Sequence, residues 1–146
     1  MSRQSILAAA LIAILSLYEC GQKTSGQNNA MKWSVRMANT VMTQADSLIH
    51  YVSGKPKWAY DVAFLGMAID KLGSTDRKYS RYMEDWVNYF VRSDGSVIDY
   101  KSDEYNLDRI LPGRNIMTLY RRNPLPEYKI ALDNFIEQLK THPRTN

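Results

Sequence analysis

One pattern of helix-forming residues occurs twice in this chain, and the repetition restricts the folds open to it. Asp61, Gly66 and Leu72 stand at offsets 0, 5 and 11, and Asp108, Gly113 and Leu119 repeat those offsets. After a polar connection, Tyr79, Met83, Trp86, Val87 and Phe90 fall at 0, 4, 7, 8 and 11, and Tyr128, Leu132, Phe135, Ile136 and Leu139 do the same. Apolar residues spaced in this way line one face of an α-helix. The blocks are 47 residues apart from Asp61 to Asp108 and 49 apart from Tyr79 to Tyr128. A period of that size is the mark of stacked helical hairpins, in which each unit buries its apolar face on the next.

The helices can be placed from spacing and punctuation. Trp33, Met37, Val41, Leu48, Ile49 and Val52 follow one helical stripe, which Gly54 and Pro56 end. A second helix is expected over 61–72, burying Phe64, Leu65, Ala68, Ile69 and Leu72. Gly73 to Asp76 stops it and caps a third helix, over 76–91, with Tyr79, Met83, Trp86, Val87 and Phe90 inside. Asp94-Gly95 is a turn, and Val97, Ile98 and Tyr100 suit a brief extended stretch. A fourth helix starts near Asp108 or Pro112 and reaches Tyr120; Asn123 to Pro126 breaks it, and a fifth covers 127–140. No apolar–polar alternation persists long enough for a sheet. The fold class expected is all-α.

The N-terminus reads as an export signal. Arg3 precedes an uncharged run from Ile6 to Leu17, twelve residues long and shorter than the roughly 20 needed to span a bilayer. Cys20, the single cysteine, has no partner for an intramolecular disulfide. Leu17 three residues before it resembles a bacterial lipobox, although Glu19 stands where a small residue is usual. Two outcomes stay open, lipidation of Cys20 with membrane tethering, or ordinary cleavage. The expected organisation is a signal over 1–20, a flexible tether over 21–30 and a folded domain over 31–146. The protein is then exported, either periplasmic or membrane-anchored as a bacterial lipoprotein.

Several chemistries are disfavoured. The net charge of +4 is spread along the chain without a clustered basic face, so nucleic acid is not an expected partner. His50 and His142 have no metal-ligand spacing, and no glycine-rich phosphate loop occurs, so neither metal nor other cofactor is expected. Ten Tyr and three Trp are enough for a sugar-binding wall, but aromatic rings more often fill cores. Asp61 and Asp108 each have two readings. A carboxylate at a helix start is favoured by the helix dipole. Alternatively, the two helix starts face a common cavity that Trp58 and Tyr60 also line.

The order Trp58-Ala59-Tyr60-Asp61, Gly66, Lys78-Tyr79, Asp94-Gly95, Asn106-Leu107-Asp108-Arg109-Ile110 and Pro112-Gly113, with the tail ending Pro143-Arg144-Thr145, resembles glycoside hydrolase family 105. Its members are unsaturated rhamnogalacturonyl hydrolases. The resemblance covers the chain from about Trp33 to Asn146. It implies helical hairpins forming part of an incomplete (α/α)6 toroid, since the family ring has twelve helices and this chain about five. It also implies a substrate, an oligosaccharide with a 4,5-unsaturated uronic acid at its non-reducing end. The family hydrates that double bond, and the hemiketal formed opens and releases the remaining sugar, unlike the usual two-carboxylate displacement. By this resemblance Asp108 matches one of two catalytic aspartates, and Tyr60 matches a tyrosine of the pocket wall. Trp58 and Asp61 are further substrate-binding candidates. The principal acid/base aspartate lies in a Met-Trp-Leu-Asp-Gly motif that is absent from these 146 residues, so the chain alone is expected to be inactive. The alternative reading is a non-catalytic helical-repeat lipoprotein that binds a glycan or protein partner.

Overall fold

The computed structural model describes residues 32–51 and 54–143. The expected signal with Cys20, the expected tether, Met31, residues 52–53 and the tail 144–146 lie outside the described residues. The chain divides into two units, 1–40 and 41–146. Residues 32–44 form helix α1. In the first unit, the Arg36 guanidinium sits 4.5 Å from the centre of the Trp33 ring. In the second, α2 (Tyr60–Asp70), α3 (Arg77–Phe90), α4 (Gly113–Arg122) and α5 (Pro126–Thr141) follow. Short 3-10 turns cover Leu48–His50, Ser102–Glu104 and Leu107–Arg109. Among the described residues, β-pairing amounts to one isolated antiparallel bridge, Val91 to Val97, around the Asp94-Gly95 turn.

The helix starts follow from local chemistry. Asp76 caps α3 by accepting a hydrogen bond from the Lys78 N–H at 2.9 Å. Pro126 opens α5, where a missing N–H costs nothing. The start of α4 is wound more tightly. Ile110, Gly113, Arg114 and Asn115 donate backbone hydrogen bonds three residues back, to Leu107, Ile110, Leu111 and Pro112. Pro112 explains this winding: it has no N–H to give the Asp108 carbonyl, and its ring crowds that carbonyl, so a regular α-helix cannot run through it.

Two helical hairpins result, α2 on α3 and α4 on α5. They join through three ties of nearly constant sequence offset. The Trp58 indole N–H donates to the Arg109 carbonyl at 2.9 Å, an offset of 51 residues. The buried Asn115 amide donates to the Ala63 carbonyl at 3.0 Å, an offset of 52. Arg122 grips the Asp70 carboxylate with both nitrogens at 2.6 Å, again at 52. A constant offset from one end to the other means that α2 and α4 run parallel, side by side.

The core is aromatic. Trp58, fully buried, stacks on Trp86 of α3 at 4.8 Å and 10°, and on Phe135 of α5 at 6.3 Å and 12°. Phe90 and Tyr100 add tilted and edge-on contacts. The Tyr82 hydroxyl donates to the Ala45 carbonyl at 2.7 Å. Burial, with Tyr51 and Asp46 nearby, pushes that hydroxyl up to about 12, so it stays a donor. Small residues allow close approach. A Cβ on Gly66 would lie 3.1 Å from Met83 and 3.2 Å from Asn115, and one on Gly113 would lie 2.8 Å from the Phe135 ring.

The all-α class and the buried face of α3 are as the sequence indicates: Tyr79, Met83, Trp86, Val87 and Phe90, the five positions expected inside, are all buried. Other expectations need correction. The first helix stops at 44 and does not run through to Val52, because Ser47 caps a separate 3-10 turn by accepting from the Ile49 N–H. On α2, Ile69 is buried as expected, Leu65 is half-buried, and Ala68 and Phe64 are exposed, Phe64 by 64%; Leu72, half-buried, lies in the turn beyond the helix end. The reason is geometric: α3 and α4 meet α2 through Ala63, Gly66 and Asp70, so the bulky neighbours turn outward. On α5, Tyr128 and Phe135 are buried, but Ile136 and Leu139 are 48% and 45% exposed, and Ala131 and Gln138 are buried instead. The matched aspartates also differ. Asp61 lies in the first turn of α2, whereas Asp108 sits in a 3-10 turn ahead of α4.

Two outcomes follow. Gly113→Ala should lower stability by roughly 1–3 kcal/mol in urea denaturation, because Phe135 is locked between Trp58 and Tyr100 and cannot retreat; a gain of about 0.5–1 kcal/mol would show that the ring yields. Arg122→Met should cost about 3 kcal/mol, near the low end for breaking a buried pair, because Arg122 is half in solvent while Asp70 is 6% exposed. The Asp70→Leu/Arg122→Met double variant should recover much of that loss in the same assay.

Candidate active site

The candidate residues gather at the end of the second unit where α2 and the turn before α4 begin. Trp58 and Arg109 are joined reciprocally: the indole N–H donates to the Arg109 carbonyl, and the Arg109 guanidinium donates to the Trp58 carbonyl. The same guanidinium pairs with the Asp99 carboxylate, which also accepts from the Trp58 N–H at 3.4 Å. Asp99 takes a left-handed backbone with φ of 62°, a conformation that aspartate tolerates better than most residues. Three separated segments, around 58, 99 and 109, are thus tied in one network. Tyr60 lies two residues after one end of the tie, and Asp108 lies next to the other.

Each predicted residue has a distinct environment. Asp108 is exposed, on the turn Leu107–Arg109, whose start is capped by the Asn106 side chain accepting from the Asp108 N–H at 3.0 Å. Tyr60 is 51% exposed on the first turn of α2. Asp61 is engaged: its carboxylate accepts from the Lys57 ammonium at 2.8 Å and from the Val62 N–H at 2.9 Å. Partial burial pushes that carboxyl up, but the lysine and the backbone donor outweigh it and hold the group below its ordinary value. Of its two readings, Asp61 fits the helix-start charge. Trp58 is 0% exposed and has no ring face open to a sugar; it is a core residue.

Sequence reasoning missed Arg109 and Asp99 as the pair that fixes this end. The signal was faint, since Asp99 lies in a loop with no periodicity. A carboxylate, Asp108, and a phenol, Tyr60, are among the groups this end offers to solvent. Such a pair can bind sugar hydroxyls and can exchange protons with a ligand. Two concavities of about 1080 and 610 Å³ lie elsewhere and are lined by none of Trp58, Tyr60, Asp61 and Asp108. Among the described residues there is no group of three or more His, Cys, Asp or Glu fit to hold a metal ion. Nor is any described helix long and apolar enough to cross a membrane. His142 ends α5, with its ring nitrogens 3.0 Å from the Pro143 carbonyl and 3.2 Å from that of Tyr105.

Known proteins share this fold. The family Glycosyl Hydrolase Family 88 matches residues 33–146. No curated protein matches the chain. A solved glycoside hydrolase of family 105 from C. acetobutylicum ATCC 824 superposes with a TM-score of 0.70 at 28% identity, over 79% of this chain and 31% of that one. The chain spans 31% of that enzyme's length, and its hairpins correspond to part of an (α/α)6 toroid. The likeness read from the motifs around Asp61 and Asp108 is therefore matched by the backbone itself. With its helical hairpins and a family match running from Trp33 to the last residue, this chain belongs to glycosyl hydrolase family 88, in its family 105-like form.

Proposed function

We propose that this chain contributes to hydration of a 4,5-unsaturated uronyl residue at the non-reducing end of pectin-derived, rhamnogalacturonan-type oligosaccharides. The observation that carries the reading is the placement of Asp108. It is an exposed carboxylate on a turn capped by Asn106 on one side and tied through Arg109 to Trp58 on the other. A reacting carboxylate needs a fixed backbone and an open face, and Asp108 has both.

The chemistry asks little more of this residue. Hydration of the enol ether adds a proton to one carbon of the double bond and a water-derived hydroxyl to the carbon bearing the ring oxygen. The product is a hemiketal, which opens and frees the rest of the sugar. A positioned carboxyl group serves to hold the water or a sugar hydroxyl and to move a proton. Tyr60, half exposed on the first turn of α2, serves as wall and hydrogen-bonding partner. The family resemblance assigns the principal acid/base role to an aspartate in a motif these residues do not contain, and gives Asp108 the role of its partner carboxylate. The leader through Cys20 belongs to the same proposal: export, with Cys20 as the point of lipid attachment.

A chimera tests this. Residues 33–146 replace the corresponding part of the family 105 enzyme, and consumption of an unsaturated disaccharide is followed by loss of its ultraviolet absorbance. Asp108→Ala in the chimera should lower kcat by about 100-fold or more, the usual size of a general acid–base contribution. Unchanged turnover would make Asp108 a turn residue only, and turnover by the 146-residue chain alone would remove the need for a second aspartate.

A further inference from the structure

The cations of this chain are scattered in sequence, yet the fold gathers five of them along one cleft. The cleft, of about 1080 Å³, lies between the α2–α3 and α4–α5 hairpins, and none of the candidate catalytic residues lines it. Its walls carry Lys71, Arg77, Arg114, Arg121 and Arg122 against two carboxylates, Asp70 and Glu84. Both carboxylates act on Arg122: Asp70 accepts from its two nitrogens, and Glu84 adds a nearby negative charge. The other four cations are exposed and have no side-chain hydrogen bond or ion pair among the described residues. Elsewhere exposed lysines lie beside carboxylates, as Lys57 does beside Asp61 and Lys129 beside Asp133. Four unpaired cations converging on one concavity raise a positive potential that attracts an anion.

The spacing of these charges calls for an extended anion. Lys71 follows the end of α2, and Arg77 opens α3. Arg114 and Arg121 stand seven residues apart on one face of α4, which is about 10 Å along its axis. A single phosphate or carboxylate does not reach all of them. The cleft also exceeds the usual range of small-ligand sites, about 300–1,000 Å³.

The lining decides which kind of polyanion fits. A single-stranded nucleic acid needs open aromatic faces for its bases. The one aromatic residue on these walls, Tyr128, is 4% exposed, and its hydroxyl donates to Asn88. A bilayer surface fits a convex face, not a cleft. Between the cations stand exposed polar side chains, Ser74 and Asn123, which suit the hydroxyl groups of a sugar chain. We propose that this cleft binds a stretch of carboxylated polysaccharide, separately from the residues around Asp108. Such binding does not depend on the reaction assigned to Asp108, because none of its groups takes part in holding the chain.

Isothermal titration calorimetry of the full chain with oligogalacturonate tests this. Binding should be saturable and at least about tenfold tighter than for the same oligomer with its carboxyl groups methyl-esterified. Raising the salt from about 0.05 to about 0.5 M should weaken it several-fold, as exposed charges are screened. The Arg114→Gln/Arg121→Gln double variant changes two exposed side chains and should weaken binding by about tenfold, the worth of two exposed ion pairs. Lys101→Gln/Lys140→Gln removes as much charge outside the cleft and should change affinity by less than about twofold. Equal binding of the esterified oligomer, or equal loss in the two double variants, would overturn the proposal. Tighter binding of oligothymidylate or of phosphatidylglycerol vesicles would also overturn it, and would assign the cleft to nucleic acid or to a membrane surface.

Discussion

Trp58 is the residue on which the two hairpins depend. Its ring is sandwiched between Trp86 of the first hairpin and Phe135 of the second, and its indole N–H and carbonyl are both engaged by Arg109. Burying a ring of this size contributes roughly 4–6 kcal/mol of hydrophobic transfer, at ~25 cal/mol per Å² over about 150–250 Å². The hydrogen bonds add direction to that energy. A stack alone allows rotation and sliding, but a stack with a reciprocal backbone tie sets the register of α2 against α4.

That register recurs down the helices. Asn115 meets Ala63 one step along, and Arg122 meets Asp70 at the far end, all at nearly the same offset. Close approach there needs small residues on α2, and Ala63 and Gly66 supply them. The same parallel packing brings the start of α2 beside the turn that carries Asp108. Fold and candidate site thus meet in one place: the tie that joins the hairpins also fixes the backbone next to the candidate carboxylate.

Much of this was legible in the sequence. The apolar face of α3 is a full helical stripe against which α2, α4 and the Leu48–His50 turn pack, and its five expected residues are buried as periodicity requires. The hairpin architecture follows from the repeat, and the family motifs led to the right enzyme group. Periodicity failed on α2 and α5, for a physical reason. It identifies residues suited to a helix contact but not the neighbour that will make it, so Phe64 and Ile136 read as core and lie in solvent. The site was less legible than the fold. Trp58 stands two residues before the half-exposed Tyr60, yet it is wholly enclosed, and no local pattern distinguishes a wall tryptophan from a keystone. Asp99 and Arg109 are found only once the chain is folded, because their partners are distant in sequence.

Hydrogen exchange on a Trp58→Phe variant tests the central claim most directly, since that change keeps a stacking ring and removes the indole donor. If the indole tie fixes this end, the amides of Arg109 and Ile110, which close the turn around Asp108, should exchange markedly faster, as should the first turn of α2, while the middle of α3 keeps its protection. Unchanged exchange at Arg109 and Ile110 would contradict the account and leave the aromatic stack as the whole of what Trp58 provides.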